Sequence, residues 1–351
     1  MYDVPCGIHN RTYVQELAIV RTRARWILLI VSGVLFLMIP YYVRESTLTI
    51  INTMSIWIVA AIGLNLLTGY CGEISIGHAA FMGIGAYASA ILANNYGFPF
   101  WFAFPCATLI TGGIGLIFAL PATRLKGFYV AIVTLAAQVI TSWVLANWKA
   151  LTGGHEGLGV PPPRIGQWVF DTEKSWFYLC IVVVFILGMA GKNITRSNVG
   201  RAFVAIRDND LAAEVMGVNM FKYKSIAFFT GCAYAGAAGS LWAHYSSHIT
   251  HAHFSLHESI WFMGMIIVGG MGKTMGPFFG VILIFLLKRI VTYLVPLFSS
   301  LFPSLSLQAS SSFGLIVFGL VIAFFLIVEP RGIAHWWDKF KYYYRLWPFS
   351  Y

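Results

Sequence analysis

Apolar residues in this chain run in long continuous blocks, each near the length a lipid bilayer requires. The blocks predict about ten membrane segments: Trp26–Val43, Leu48–Leu67, Gly72–Ala93, Trp101–Pro121, Phe128–Asn147, Ser175–Gly191, Ser225–Tyr245, the short Ser259–Met271, one starting at Met275 and passing Lys288 and Arg289, and Ser312–Val328. Between them lie two polar stretches of note. Residues 148–174 are rich in Gly and Pro, and three consecutive prolines there exclude a regular helix. Residues 192–224 are the long charged stretch inside the apolar body, with six Lys or Arg and three acids. A β-barrel would need short alternating strands, so the predicted class is an all-α, polytopic transmembrane helical bundle.

The third block breaks the pattern. Leu64 to Leu92 reads LNLLTGYCGEISIGHAAFMGIGAYASAIL, with repeated glycines, one Glu and one His between apolar runs. Glycine is costly inside a helix. Backbone freed by a break in a membrane survives only when buried in protein or facing a cavity. A Gly-interrupted hydrophobic segment therefore points to a transport site, with Gly72, Glu73, Ser75, Gly77, His78, Phe81, Gly83 and Gly85 as candidate pathway residues. Glycines that only let neighbouring helices approach closely would look the same. A second Gly-rich break, Gly269–Gly280, leaves an inverted repeat open.

Composition agrees with the pattern: 58% of the residues are hydrophobic and 10% charged, against about 25% charged in soluble chains. The net charge of +10 reads as topology rather than nucleic-acid binding. With the termini placed in the cytoplasm, 17 of the 23 Lys and Arg face inside. The expected organisation is a cytoplasmic segment 1–25, a transmembrane domain 26–330 holding the loop 192–224, and a basic, aromatic cytoplasmic tail 331–351. The cysteines show no paired spacing and read as small buried hydrophobes.

Arg201 to Met216 gives a short helical pattern ending at Gly217, where a positive-φ turn can close a helix. Such a helix between two spans is a mechanical coupler in transporters driven by a separate motor. Two motifs invite other chemistry. Gly269 to Thr274, GGMGKT, lacks the first glycine of a phosphate loop, because Ile267 stands there. His244, His248, His251, His253 and His257 have helical metal-ligand spacings, which frames a rival from another class, a membrane-embedded metalloenzyme.

The ordered motifs resemble the permease subunits of bacterial branched-chain amino-acid ABC transporters, of LivM type. They are GLNLLTGYCGEISIGHAAFMGIGAY (Gly63 to Tyr87), LKGFYVAIVTLA (Leu125 to Ala136), LTGGHEGL (Leu151 to Leu158), GRAFVAIRDNDLAAEVMGVNMFKYKSIAF (Gly200 to Phe228), IIVGGMGKTMGPFFG (Ile266 to Gly280) and EPRG (Glu329 to Gly332). The resemblance implies a permease, not an enzyme, with no cofactor or metal of its own and ATP bound by partner subunits. It implies a LivH-type homologous permease as partner, two cytoplasmic ABC ATPases and an extracytoplasmic substrate-binding protein, all at a bacterial inner membrane. It implies an amino-acid substrate, branched-chain or otherwise hydrophobic, with a urea or short-amide importer of the same superfamily as the near alternative. The coupling residues it implies are Arg207, Asp208, Asp210, Ala212, Ala213 and Gly217. Leu211 stands where the family's coupling pattern has Glu, and Glu73 where it more often has Gln.

Overall fold

The computed structural model describes residues 35–123, 127–165, 168–301, 307–329 and 331–346, together with 27, 31 and 33. The expected segment 1–25, six residues of the first expected span (26, 28–30, 32 and 34), Arg124 and Lys126, and the last five residues of the expected tail lie outside the described residues. The chain divides into two compact units, residues 1–49 and 50–351. The first contains α1 (Ile39–Tyr42), with Pro40 in its opening turn, and the start of α2 (Glu45–Leu64).

In the second unit α2 runs directly into a π-helix (Asn65–Tyr70). Residues 71–77 leave helical geometry, and α3 (His78–Tyr96) resumes it. Then come α4 (Phe100–Ala122), α5 (Phe128–Asn147), the single turn α6 (Lys149–Thr152) and three two-residue strands, β1 (Leu158–Gly159), β2 (Arg164–Ile165) and β3 (Trp168–Val169). They are followed by α7 (Glu173–Arg196), α8 (Asn198–Asp208), α9 (Asp210–Val215), α10 (Met220–Ser246), β4 (His248–Ile249) and a 3-10 turn (His251–Phe254). The rest is α11 (Leu256–Gly269), α12 (Gly276–Leu301), α13 (Leu307–Val328) and α14 (Ile333–Leu346).

Among the described residues, five helices are long and apolar enough to cross a membrane: 45–70, α4, α5, α7 and α10. The bent pair 316–328 and 333–343 makes a sixth if it counts as one span. Several of the ten expected segments thus take other forms. The Gly72–Ala93 segment loses its first six residues to non-helical backbone, and α3 carries His78 at one end and Asn94 and Asn95 at the other. The Ser259–Met271 segment begins earlier, at Leu256, and is 14 residues long.

The core is built on α10, which packs most extensively against α4 and α3. Its middle is small: Ala235, Gly236, Ala237, Ala238 and Gly239 are all buried. Close backbone approach is what such residues allow in a membrane, where apolar burial alone gives no helix–helix preference. Gly85 of α3 faces the Gly236 backbone so tightly that a Cβ would overlap it, and Gly239 meets the Met82 carbonyl in the same way. Outward-facing Trp143, Ile140, Phe185 and Ile186 on α5 and α7 suit contact with lipid.

The bundle has two recognisable ends. At one, β1 pairs antiparallel with β4, joining the 148–174 stretch to the histidine-bearing loop. There the Asn52 amide donates to the Glu173 carboxylate at 2.7 Å, and Tyr245 donates to it at 3.0 Å. Just beneath, His244 Nδ1 donates to the Pro161 carbonyl (2.8 Å), so its Nε2 accepts from Ser89 (3.0 Å), which in turn accepts from Ser240 (2.8 Å). This fully paired chain ties α3 to α10. The other end holds residues 69–73, the 192–224 stretch and the 270–275 turn.

Candidate functional site

The break in the third segment starts inside the π-helix. A π-turn widens the helix and sits disproportionately at functional positions. Here it turns Asn65 toward the α11–α12 turn, where its amide nitrogen donates to the Lys273 carbonyl (3.0 Å) and its oxygen accepts from the Gly272 N–H (2.9 Å). Gly72 has φ +81°, a conformation that disfavours side chains, and stacks on the stem of Arg207. Arg207 Nη1 donates to the Gly69 carbonyl at 3.0 Å while the same guanidinium holds Asp208. Glu73 forms an ion pair of 2.5 Å with Lys224 of α10, their side chains 6% and 5% exposed. The broken segment and the charged loop are therefore one physical unit.

Deeper in, the backbone donors freed by the break are taken up one by one. The Ile76 N–H donates to Thr134 Oγ1 (3.0 Å), the Ala79 N–H to Ser259 Oγ (2.9 Å) and the Ala80 N–H to Gln138 Oε1 (3.0 Å). Ser259 also donates to Gln138, whose amide nitrogen donates to the Phe254 carbonyl at 2.7 Å. This meets the requirement that unpaired helix ends in a membrane find partners in protein. His78 is fully buried; its Nε2 donates to the Ala60 carbonyl at 2.8 Å, and its Nδ1 has no partner.

Of the eight candidate pathway residues, Gly72 is exposed and the other seven are buried. Gly77 lies on the Thr134 carbonyl, Gly83 on the Phe254 ring and Gly85 on Gly236. Phe81 meets Phe118 edge to face at 5.9 Å, and the Ser75 hydroxyl is buried without a partner. Gly72 and Glu73 join the charged loop, Ser75 to Phe81 sit in the bundle interior, and Gly83 and Gly85 serve contacts of α3.

The loop itself departs from one continuous helix. Asn209 is extended (φ −160°) and its side chain accepts from the Ala212 N–H at 3.0 Å, capping α9 and separating it from α8. At the far end Gly217 (φ +85°) closes α9, with Gly217 N–H to the Glu214 carbonyl and Val218 N–H to the Ala213 carbonyl. Asp210 stands in the first turn of α9. Ala213 is buried beside Phe203, Ile206 and Phe228. Ala212 faces away, and around it Leu211, Val215 and Met216 are 62%, 87% and 83% exposed. A six-residue helix thus holds an apolar face in the open.

Lys224, Asn65, Thr134, Gln138 and Ser259 are the residues here that sequence reasoning missed. Lys224 looked like one more topological charge, since nothing in a linear pattern links it to Glu73. Gln138 and Ser259 did carry a signal, as polar residues inside apolar blocks.

The histidine spacings do not converge. His244 is buried in its serine chain, His257 accepts from Trp261 Nε1 at 2.6 Å, and His253 caps the 3-10 turn by accepting from the Thr250 N–H. Among the described residues no three His, Cys, Asp or Glu are grouped as a metal site requires. Lys273 of the GGMGKT stretch pairs with Asp338 at 2.9 Å in a helix–helix turn. Desolvation first, and then the nearby His248, hold the His253 pKa below the ordinary imidazole value. A lowered folded pKa means the unfolded state binds more protons, so the cap is fully stable above about pH 6.5 and weakens as pH falls. Exchange of the Thr250 amide, corrected for its intrinsic rate, should therefore speed up as pH falls below about 6.5, and not in His253→Ala. Constant protection across that range would contradict the cap.

Residues 46–326 match the family described as branched-chain amino acid transport system / permease component. The chain is 27% identical over 320 residues to the high-affinity branched-chain amino acid transport system permease protein LivM of Escherichia coli (strain K12), covering 84% of this chain and 71% of that protein. The LivM protein of Salmonella typhimurium gives the same identity and coverage. The LivH permease protein of Escherichia coli is 24% identical over 295 residues, 80% of this chain and 91% of that protein. No solved structure matches the chain.

Proposed function

The chain belongs to the family of permease components of branched-chain amino acid transport systems, and from that premise we propose that it is the LivM-type permease subunit of an ATP-driven importer of branched-chain or other hydrophobic amino acids. The observation that carries the reading is α9: an apolar helical face, anchored through Ala213 and exposed at Leu211, Val215 and Met216, on the loop that also grips the broken segment. Its occupant is one of two cytoplasmic ATPases, the second docking on a LivH-type partner permease. A binding protein delivers the substrate at the β1–β4 end. Arg207, Lys222, Lys224, Lys273, Lys339 and Lys341 gather at the α9 end, which supports placing that end on the cytoplasmic side of an inner membrane.

In this mechanism ATPase closure pushes α8 and α9. Arg207 and Lys224 pass the push to Gly69, Gly72 and Glu73, and the segment 71–77 carries it into the bundle. Glu73 and His78 are enclosed by this chain's own groups, so their part is to position the path that runs beside them, between the two permeases. The chain, its partner permease, the ATPases and the binding protein, reconstituted in liposomes, should take up leucine only with ATP and all components present. Uptake by this chain alone without ATP would replace the importer with a channel.

A further inference from the structure

Lys288 lies within an apolar helix, yet its ammonium sits over aromatic rings, 4.0 Å from the Trp261 centroid, 5.1 Å from Trp57 and 5.5 Å from Phe285. On α11, one turn before Trp261, is Glu258, whose Oε2 is buried without a hydrogen-bond partner. The two opposite charges are not joined in an ion pair among the described residues. Trp57 Nε1 and His78 Nδ1 are also buried and unpaired, and the Phe262 ring bridges their side chains, 4.5 Å from Trp57 and 5.8 Å from His78.

Depth makes this cluster unusual. Gly69, Gly269 and Gly276 lie together at the α9 end, around the turn that Asn65 holds. Trp57, Glu258 and Lys288 each stand eleven or twelve residues along their helices from that layer, about 17–18 Å at the helical rise. With a hydrocarbon core of about 30 Å, they share the middle of the membrane. Ionisable groups there are costly and mark substrate paths, and helices broken at mid-depth build such sites. Both α3 and α11 begin at this level. The side of the cluster away from the bundle is open, since Leu256, His257 and Ile260 are exposed.

We propose that Glu258 and Lys288, framed by Trp57 and Trp261, form a mid-membrane station for the zwitterionic head group of the translocated amino acid. Glu258 receives the α-ammonium and Lys288 the α-carboxylate, while the indole faces flank the apolar side chain. A zwitterion fits an acid and a base that stand near one another without closing on each other. It brings both missing partners at once and leaves no net charge in the path. The proposal rests on the amino-acid importer reading and adds the place where this chain meets its cargo.

The test uses the complete complex in proteoliposomes with leucine-loaded binding protein, comparing uptake and ATP hydrolysis. The isosteric Glu258→Gln, and separately Lys288→Met, should each lower leucine uptake at least tenfold while complexes of normal composition hydrolyse ATP within twofold of the parent rate. Uptake within twofold of the parent in both variants would overturn the station. So would ATP hydrolysis or assembly falling in parallel with uptake, because the residues would then hold the fold. A parent complex that hydrolyses ATP but takes up no amino acid would instead bring down the importer reading, and the station with it.

Discussion

On the importer reading, replacing Val215 and Met216 by aspartate should leave the subunit folded and inserted but separate it from the ATPases. Both side chains stand almost wholly outside the protein, 87% and 83% exposed. Surface changes of that kind alter stability by roughly 0.5 kcal/mol or less. Burying a Val or Met in a partner's groove contributes about 1.5–3 kcal/mol each, so losing two costs docking about 3–6 kcal/mol, roughly 10²–10⁴ in affinity. Pull-down through a tag on this chain should recover the partner permease without the ATPases, and ATP-driven uptake should vanish. Normal recovery of the ATPases would show that α9 is not their docking helix. Ala213→Asp is the poorer probe, because Ala213 is buried and its variant would damage the fold itself.

Lys224→Met has the opposite character: it should destabilise the subunit strongly without touching any partner surface. Glu73 and Lys224 are both removed from solvent. Deleting one member of such a pair strands the other charge and costs about 3–5 kcal/mol, whereas replacing both is often close to neutral. Denaturant unfolding in mild detergent should therefore show a large loss for Lys224→Met and a return toward parental stability for Glu73→Gln/Lys224→Met. A single variant as stable as the parent would mean that the pair is solvated in the membrane. If the double variant is stable but transports poorly, the pair transmits motion as well as holding the segment.

Periodicity and glycine made the spans and the break legible in the chain. The spans at α4, α5, α7 and α10 appear as apolar blocks whose predicted limits differ from the observed ones by a few residues; α7 continues past Gly191 to Arg196 because a helix need not stop where the hydrocarbon does. The interruption near Gly72 and Gly77 is visible because glycine weakens a helix, so a cluster of glycines within an apolar run marks a break or a close approach. Pairings across long sequence distances are not visible in this way. Nothing local announces that Glu73 meets Lys224, that Ser259 and Gln138 cap α3, or that Leu158 and Ile249 share a strand pair. The division of the coupling stretch at Asn209 was missed because a good N-cap in mid-pattern looks like one polar residue among many. Lys288 is conspicuous as a charge in a span, but its aromatic surroundings come from three separate helices.

The glycine contacts between α3 and α10 also set a timetable for biogenesis. Segment 78–96 leaves the ribosome well before segment 220–246, at translation rates that put roughly 7–30 s between them. Throughout that interval α3, with its histidine and asparagines, must lie in or beside the insertion machinery without the backbone surface that later accepts it. A nascent chain stalled before residue 220 should accordingly be held by chaperones or membrane proteases rather than released into lipid.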